Sequence, residues 1–528
     1  MRKLRITGIV LSLGEGEDLL NAKVAAILRI SEADVSSLTV VRKSIDARRR
    51  KPPRFIYSVD LSVPDGVDLT GRNGVKIELL EEDKEALRGP AKIRAGKRPV
   101  IVGCGPAGMF AALALAEKGI PVLLLERGKS ATERIVDVQA FWDKGILNTE
   151  SHVHFGEGGA GTFSDGKLTS RLANPFTKWI KTRLVDAGAP SGILTDAKPH
   201  VGTDRLREVV INLRKRLIEL GCEVRFEAKV TDFLIHRRKL EGVVVRGKEE
   251  VKTDHLILAA GQSAEDTYSR LYELGVHLTP KPFAIGFRVE HPQELIDGIQ
   301  YGKWRGHPDL PPADYFLTSS LPRMNRSVYT FCMCPGGSVI GCSSEERTIV
   351  TNGMSRYRRG SPYANSAVVV AVRCEDFAIA APHPLCGLAF RRQWEKKAFV
   401  LGGENYHAPA QGLVDFMKDS EGTAVNRTSF VPGVKPAMLR EALPLFAVEA
   451  LRQGITEFDR KMRGFITEEA TLIGVETRTS SPVRILRGPD SQSVNVAGLY
   501  PCGEGAGYAG GIISSALDGI KVAEKIAS

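Results

Sequence analysis

The sequence predicts a doubly wound α/β domain that carries an inserted, mainly antiparallel β domain and is preceded by a small α+β domain. Three observations predict it. Residues 99–126 read as apolar strand, glycine turn, alanine-rich helix and second strand; residues 498–523 read as strand, glycine cluster and small-residue helix; residues 280–400 are short alternating segments between Pro and Gly turns.

The elements follow in order. Residues 3–10 alternate like a strand, 18–29 have helical spacing, and 37–42 and 54–62 are again strand-like before the turn Pro64-Asp65-Gly66. This is a small α+β unit, expected over 1–95, and the charged, Gly- and Pro-broken stretch 82–98 reads as the linker that closes it. The first part of the α/β domain is expected over 96–280. Within it, 203–220 has helical spacing, 222–227, 230–235 and 241–246 are strand-like, and 254–261 is a buried strand ending in a glycine turn. The inserted β-rich domain is expected over 281–400, and 401–528 completes it and returns to the α/β domain.

Composition narrows the class. With 528 residues, 43% hydrophobic and 26% charged, the chain can bury two or three cores, which excludes disordered and fibrous classes. The most apolar stretch, Met109 to Leu125, is broken by Glu117 and Lys118, so no membrane span or membrane partner is expected. The N-terminus passes straight into strand-like sequence without a signal-peptide pattern, and a cytoplasmic location is the expectation. Eight scattered cysteines without paired CxxC motifs predict neither a disulfide framework nor a metal site. Cys332-Met-Cys334 is the one close pair: on a strand, residues two apart share a face, so the pair either packs as small hydrophobes or presents two thiols together.

The formal charge is +11, of which the first 98 residues supply +6. The densest basic segment, Arg42 to Arg54, is either a solvated hairpin arm or an arm for a nucleic-acid backbone or an acidic protein.

The run Pro99-Val-Ile-Val-Gly103-Cys-Gly105-Pro106-Ala107-Gly108 fits GxGxxG between a strand and a helix. Gly103 permits the tight turn, Gly105 lets backbone approach a pyrophosphate, and Gly108 lets helix and strand pack closely. The free N–H groups at the start of the helix face the phosphates. Glu126, eighteen residues beyond Gly108, closes the second strand and is placed for the ribose hydroxyls, with Arg127 beside it. A Rossmann-like dinucleotide-binding domain follows.

The far end selects the dinucleotide. Leu499-Tyr-Pro-Cys-Gly503-Glu504-Gly505 and Gly510-Gly511-Ile512 place an acid in a glycine cluster ahead of a helix. This resembles the second FAD motif of glutathione-reductase-like flavoproteins, with Glu504 in place of the usual Asp. A helix starting near Gly511 would stabilise negative charge on a reduced flavin. A third element, Phe155-Gly-Glu-Gly158-Gly159-Ala-Gly161-Thr-Phe-Ser164-Asp165-Gly166-Lys167, is a glycine-dense loop able to lie flat beneath a planar ring.

With Leu256-Ile-Leu-Ala-Ala260-Gly261 and Glu476-Thr-Arg478-Thr-Ser-Ser-Pro-Val-Arg484, these motifs resemble a group of bacterial and plastid FAD-dependent dehydrogenases or oxidoreductases of undefined substrate. The group is related to fumarate-reductase-like and aromatic-hydroxylase-like flavoproteins, and the resemblance covers about residues 95–528. It implies an FAD-binding domain in which Gly158 to Lys167 lie along FAD, Val230 meets the adenine through its backbone, and Ala260 and Gly261 pack near the pyrophosphate. No second strand-GxGxxG-helix falls between 200 and 400, so no dedicated nicotinamide domain is expected; NAD(P)H remains a transient electron donor.

Flavin carries the redox chemistry, so the protein need only orient a small-molecule substrate and move a proton. Lys167, Arg478 and Arg484 are the candidate catalytic groups, for an anionic substrate or reduced flavin, and salt bridging at domain contacts is the competing role. His200, His383 and His407 are further proton carriers by residue type. The expected function is a non-covalent FAD-dependent oxidoreductase. The alternatives are a flavin-dependent monooxygenase and a flavin-bearing RNA-binding or scaffold protein.

Overall fold

A computed structural model describes residues 1–48, 51–69, 74–80, 97–169, 174–377, 383–422 and 424–528. Most of the expected linker, and Arg49 and Arg50 of the basic segment, lie outside the described residues.

The sheet that positions the site is parallel and five-stranded, in the order Leu499–Pro501, Leu256–Leu258, Val100–Val102, Leu123–Leu125, Glu223–Arg225. Its strands are three residues each, and all but the edge strand Glu223–Arg225 are buried throughout, because both faces are covered. The pleat sends alternate residues to opposite faces. Ile101, Leu124 and Ile257 pack under the helices Pro106–Ala116, Thr203–Glu219 and Ile512–Ala527, whereas Val100, Val102, Leu123, Leu125, Leu256 and Leu258 pack under a three-stranded antiparallel sheet spanning 230–252. The first and last of these helices lie against each other so closely that a Cβ at Gly519 would stand 2.2 Å from the Ala107 carbonyl oxygen. The small residues noted in both segments make that approach possible.

The inserted domain is built on a seven-stranded sheet, antiparallel but for one pair, in the order Thr318–Leu321, Arg326–Cys334, Tyr363–Val372, Phe283–Pro292, Thr471–Glu476, Ala408–Gly412, Val434–Pro436. Helices Cys386–Leu401 and Leu445–Lys461 contribute to its core. At its centre Arg288, fully buried, holds Glu476 with two hydrogen bonds of 3.0 and 2.9 Å, and also donates to Asn365 Oδ1 and the Cys332 carbonyl. One guanidinium therefore ties four segments of the insert together.

The N-terminal unit is a four-stranded sheet, Ser36–Asp46, Arg54–Val63, Arg2–Ser12, Lys76–Leu79, with helix Leu20–Leu28 on it. It docks on the body: Lys43 exchanges backbone hydrogen bonds with Thr195 and Ala197, both of 2.8 Å, and Gly14 N–H donates to Asp309. Charges of the basic segment are partly paired, Lys43 with Glu17 and both Arg48 and Arg54 with Asp46. Among the described residues no helix is long and apolar enough to cross a membrane.

Replacing Arg288 with Met leaves the buried Glu476 carboxylate unpaired, and denaturant unfolding should register a loss of about 3–5 kcal/mol. The double variant R288M/E476L should recover most of it; equal loss in both would mean that the pair is not what stabilises the sheet.

Candidate FAD site

Four glycine-rich segments converge above the carboxyl ends of the parallel strands. Gly103, at φ +103°, turns the chain after Val102, and a Cβ there would lie 2.3 Å from the Ala259 carbonyl oxygen. Gly105 precedes the helix Pro106–Ala116, and Pro106 fits its first position because no N–H partner is needed there. A Cβ on Gly159 would stand 3.1 Å from the Gly105 Cα, so the turn and the glycine loop meet backbone to backbone. From the far end of the chain, Gly505 lies against Gly261, with a Cβ-to-backbone distance of 2.6 Å if a side chain were added. Gly503 N–H is fixed by Asp518 at 2.8 Å.

These segments enclose a cavity of about 570 Å³, within the range of small-molecule and cofactor sites. It is lined by Gly103, Gly105, Pro106, Ala107, Glu126, Arg127, Gly159, Gly161, Ser164, Asp165, Gly166, Lys167, Val230, Ala260, Gly261, Gly503, Glu504, Gly510, Gly511 and Ile512. Gly108 and Gly158 stand behind the wall. A Cβ at Gly108 would collide with the Gly103 carbonyl, and Gly158 N–H donates to the Cys104 carbonyl at 2.8 Å. Both act by close packing.

Two expectations need revision. Arg484 is not on the cavity: its guanidinium donates to the Gly507 carbonyl and lies over the Tyr508 ring, held there by the short pairing of 278–280 with 483–485. Arg478 does line the cavity, yet its donors are committed to Glu395, at 3.1 and 2.9 Å, and to the Ser263 and Ser344 hydroxyls. It is therefore a positioning group that fixes the wall. His200, His383 and His407 do not line the cavity; His200 bonds the Tyr357 carbonyl and His383 packs on Tyr272.

Glu126 is buried and accepts three backbone N–H groups, from Cys104, Gly128 and Gly156, at 2.8–2.9 Å. It fastens the glycine turn to the glycine loop while still facing the cavity. Arg127 is clamped by Asp266 and Glu150 and lies 4.1 Å over the Phe155 ring. Lys167 sits 3.1 Å from Asp165. Burial alone would raise the Asp165 carboxyl, but Lys167, Arg359 and the Ser355 hydroxyl together hold it down at about 2. Burial lifts Glu504 to about 7 against the opposing hydrogen bond from Gln262 and the charge of Lys281.

Further wall residues are His154, Gln262, Ser263, Cys332 and Asn352. His154 and Gln262 directly adjoin motifs already identified, so extending those motifs by one residue finds them. Asn352 carries no sequence signal. The His154 ring contacts the Ser263 hydroxyl at 3.1 Å, and burial followed by the charge of Arg478 keeps it neutral.

Residues 97–267 match the family model of pyridine nucleotide-disulphide oxidoreductases, 282–479 that of the C-terminal domain of FAD-dependent proteins, and 3–62 a domain of unknown function. An uncharacterized protein of Clostridium beijerinckii is 46% identical over 528 residues, covering 99% of this chain and 98% of its own. This chain belongs to the FAD-dependent oxidoreductase family.

FAD is its cofactor, and the cavity fits it. Two helix N-termini open on it, at Gly105–Ala107 and Gly510–Ile512, and glycine backbone replaces side chains along its wall. Among solved structures, the flavin-dependent brominase Bmp2 is 16% identical, covering 81% of this chain and 78% of its own at TM-score 0.39. A geranylgeranyl bacteriochlorophyll reductase-like protein from Thermoplasma acidophilum is 13% identical, covering 81% and 76% at TM-score 0.34.

Substituting Gly103→Val drives a side chain into the Ala259 carbonyl, and the purified variant should retain at least about tenfold less FAD per chain by absorbance. Undiminished FAD would refute the role given to this turn. A second test uses pH. Because the folded pKa of Glu504 lies above its unfolded value, the folded state binds more protons between about pH 4.5 and 7, and stability falls as pH rises through that window. Relative to Glu504→Gln, the wild type should lose about 1–2 kcal/mol between about pH 5.5 and 8 in chemical unfolding. Parallel curves would contradict the raised pKa.

Proposed function

We propose that the protein is an oxidoreductase that holds FAD non-covalently and exchanges two electrons with a small molecule in the cytoplasm. One observation carries this reading: the wall of the FAD cavity continues from the glycine segments onto the inserted domain, through Cys332, Asn352, Arg478 and Thr479. The cavity thus has a face made by a different domain from the one that supplies the nucleotide motifs, where a substrate can meet the cofactor.

FAD supplies the hydride and electron chemistry when bound. The chain's residues supply charge and shape. Lys167, kept protonated because Cys332, Cys334 and Asp165 outweigh the effect of burial, presents a cation on the wall. The N-terminus of Ile512–Ala527 adds the positive end of a helix dipole, favouring negative charge there. Arg478, locked by Glu395, adds positive potential without moving. Together they favour an anionic group on the substrate or reduced cofactor. NAD(P)H enters this reading as a transient electron donor.

The test is an anaerobic titration of the purified holoprotein with NADH and NADPH, followed by the flavin absorbance band. Bleaching by one nicotinamide, with recovery on adding an oxidised acceptor, is the expected result. A band that returns only with oxygen, together with a hydroxylated product, would replace this reading with a monooxygenase.

A further inference from the structure

We propose that Cys332 and Cys334 are a second reactive centre of this site, a dithiol that exchanges with a small disulfide entering the FAD cavity. The inference rests on the reading above, since it names a substrate class for that cavity.

Strand Arg326–Cys334 breaks its ladder with Tyr363–Val372 between Phe331 and Cys334, and Cys332 takes a left-handed conformation at φ +47°. A non-glycine residue rarely adopts it without surrounding constraint. Here Arg288 Nη1 donates to the Cys332 carbonyl at 3.1 Å, and the Cys334 thiol donates to the same oxygen at 3.3 Å. The irregularity turns Cys332 onto the cavity wall, while Cys334 is fully buried beside it. Lys167 Nζ lies 3.6 Å from the Cys334 sulfur and 4.0 Å from that of Cys332. A thiol pair, a lysine and access to the redox cavity thus coincide.

The charged groups around the pair are Lys167 and Asp165 on the glycine loop, Arg359 paired with Asp165, and Arg288 paired with Glu476. The Cys332 thiol is pushed well down, first by its neighbour Cys334 and then, against burial, by Lys167 and Arg288. The Cys334 thiol is pushed up, first by Cys332 and then by burial, and burial also raises Cys104, Cys222, Cys342, Cys374 and Cys502. One thiolate beside one thiol is the arrangement that disulfide exchange needs.

The chemistry balances. The Cys332 thiolate attacks one sulfur of R–S–S–R, forming a Cys332–S–S–R bond and releasing one thiolate. Cys334 gives up its proton and attacks the Cys332 sulfur, breaking that bond and releasing the second thiolate. Both leaving thiolates are protonated from the pair and solvent, so the disulfide gains two electrons and the pair is oxidised to a disulfide. Two electrons and two protons return the pair to the dithiol, and reduced FAD in the same cavity is the reductant of matching stoichiometry.

The test uses the holoprotein, its FAD content verified by absorbance. Iodoacetamide at about pH 6 should alkylate Cys332 at least about tenfold faster than Cys386, also part-exposed, by peptide mass mapping. Lys167→Met should slow that reaction at about pH 6 and leave it unchanged at about pH 9. With 2-hydroxyethyl disulfide, the wild type should form a Cys332–Cys334 link, and Cys334→Ser should stop at a mixed disulfide on Cys332. Alkylation of Cys332 no faster than Cys386, or a wild type that stops at the mixed disulfide, would overturn the proposal. Neither outcome requires flavin reduction, so either can fail while the anaerobic titration still succeeds.

Discussion

The close approach of backbone to backbone above the parallel sheet is the constraint on which the rest of the structure depends. Gly103 against Ala259, Gly105 against Gly159 and Gly505 against Gly261 come from segments as far apart as residues 103 and 505; a side chain on Gly103 or Gly505 would strike the facing backbone, and one on Gly159 would crowd Gly105. Such contacts bring N–H groups and helix N-termini to one cavity wall, which suits a polyanionic cofactor better than any set of side chains would. They also explain why the chain must return at its C-terminus. The strand Leu499–Pro501 completes the sheet, and the helix after it packs on the first helix through Gly519.

The second constraint is charge kept inside the protein. Arg288 with Glu476, and Arg478 with Glu395, are ion pairs buried in or beside the inserted sheet, and Arg391 joins Glu265 at the boundary. A buried charge is tolerated only when its partners are fixed. These pairs therefore hold the inserted domain in one register against the cavity, and one of them ties the Arg478 guanidinium to Glu395. Lys167 also faces the cavity, and its setting between Asp165 and two sulfurs joins the nucleotide-binding half to the insert.

Much of this was legible in the sequence because glycine spacing reports backbone geometry directly. The run from Gly103 to Gly108, the loop from Gly158 to Lys167, and Glu504 with Gly511 announce tight turns and close backbone approaches, whichever partner they meet. The placement of Arg484 off the cavity was not legible, because a cation's destination depends on which strands pair, and the pairing of residues 278–280 with 483–485 joins segments about two hundred residues apart. Asn352 was invisible for the same reason: its position follows from the register of the insert. Cys332 and Cys334 carried a spacing signal, but the bulge that turns one of them onto the cavity wall has no sequence marker.

The role of the cavity depends on the cofactor that fills it. Heat release of the bound chromophore from purified wild-type protein, followed by chromatographic identification, should give FAD at close to one per chain with none left covalently attached. A protein that carries no flavin, or that releases a different nucleotide, would contradict that role.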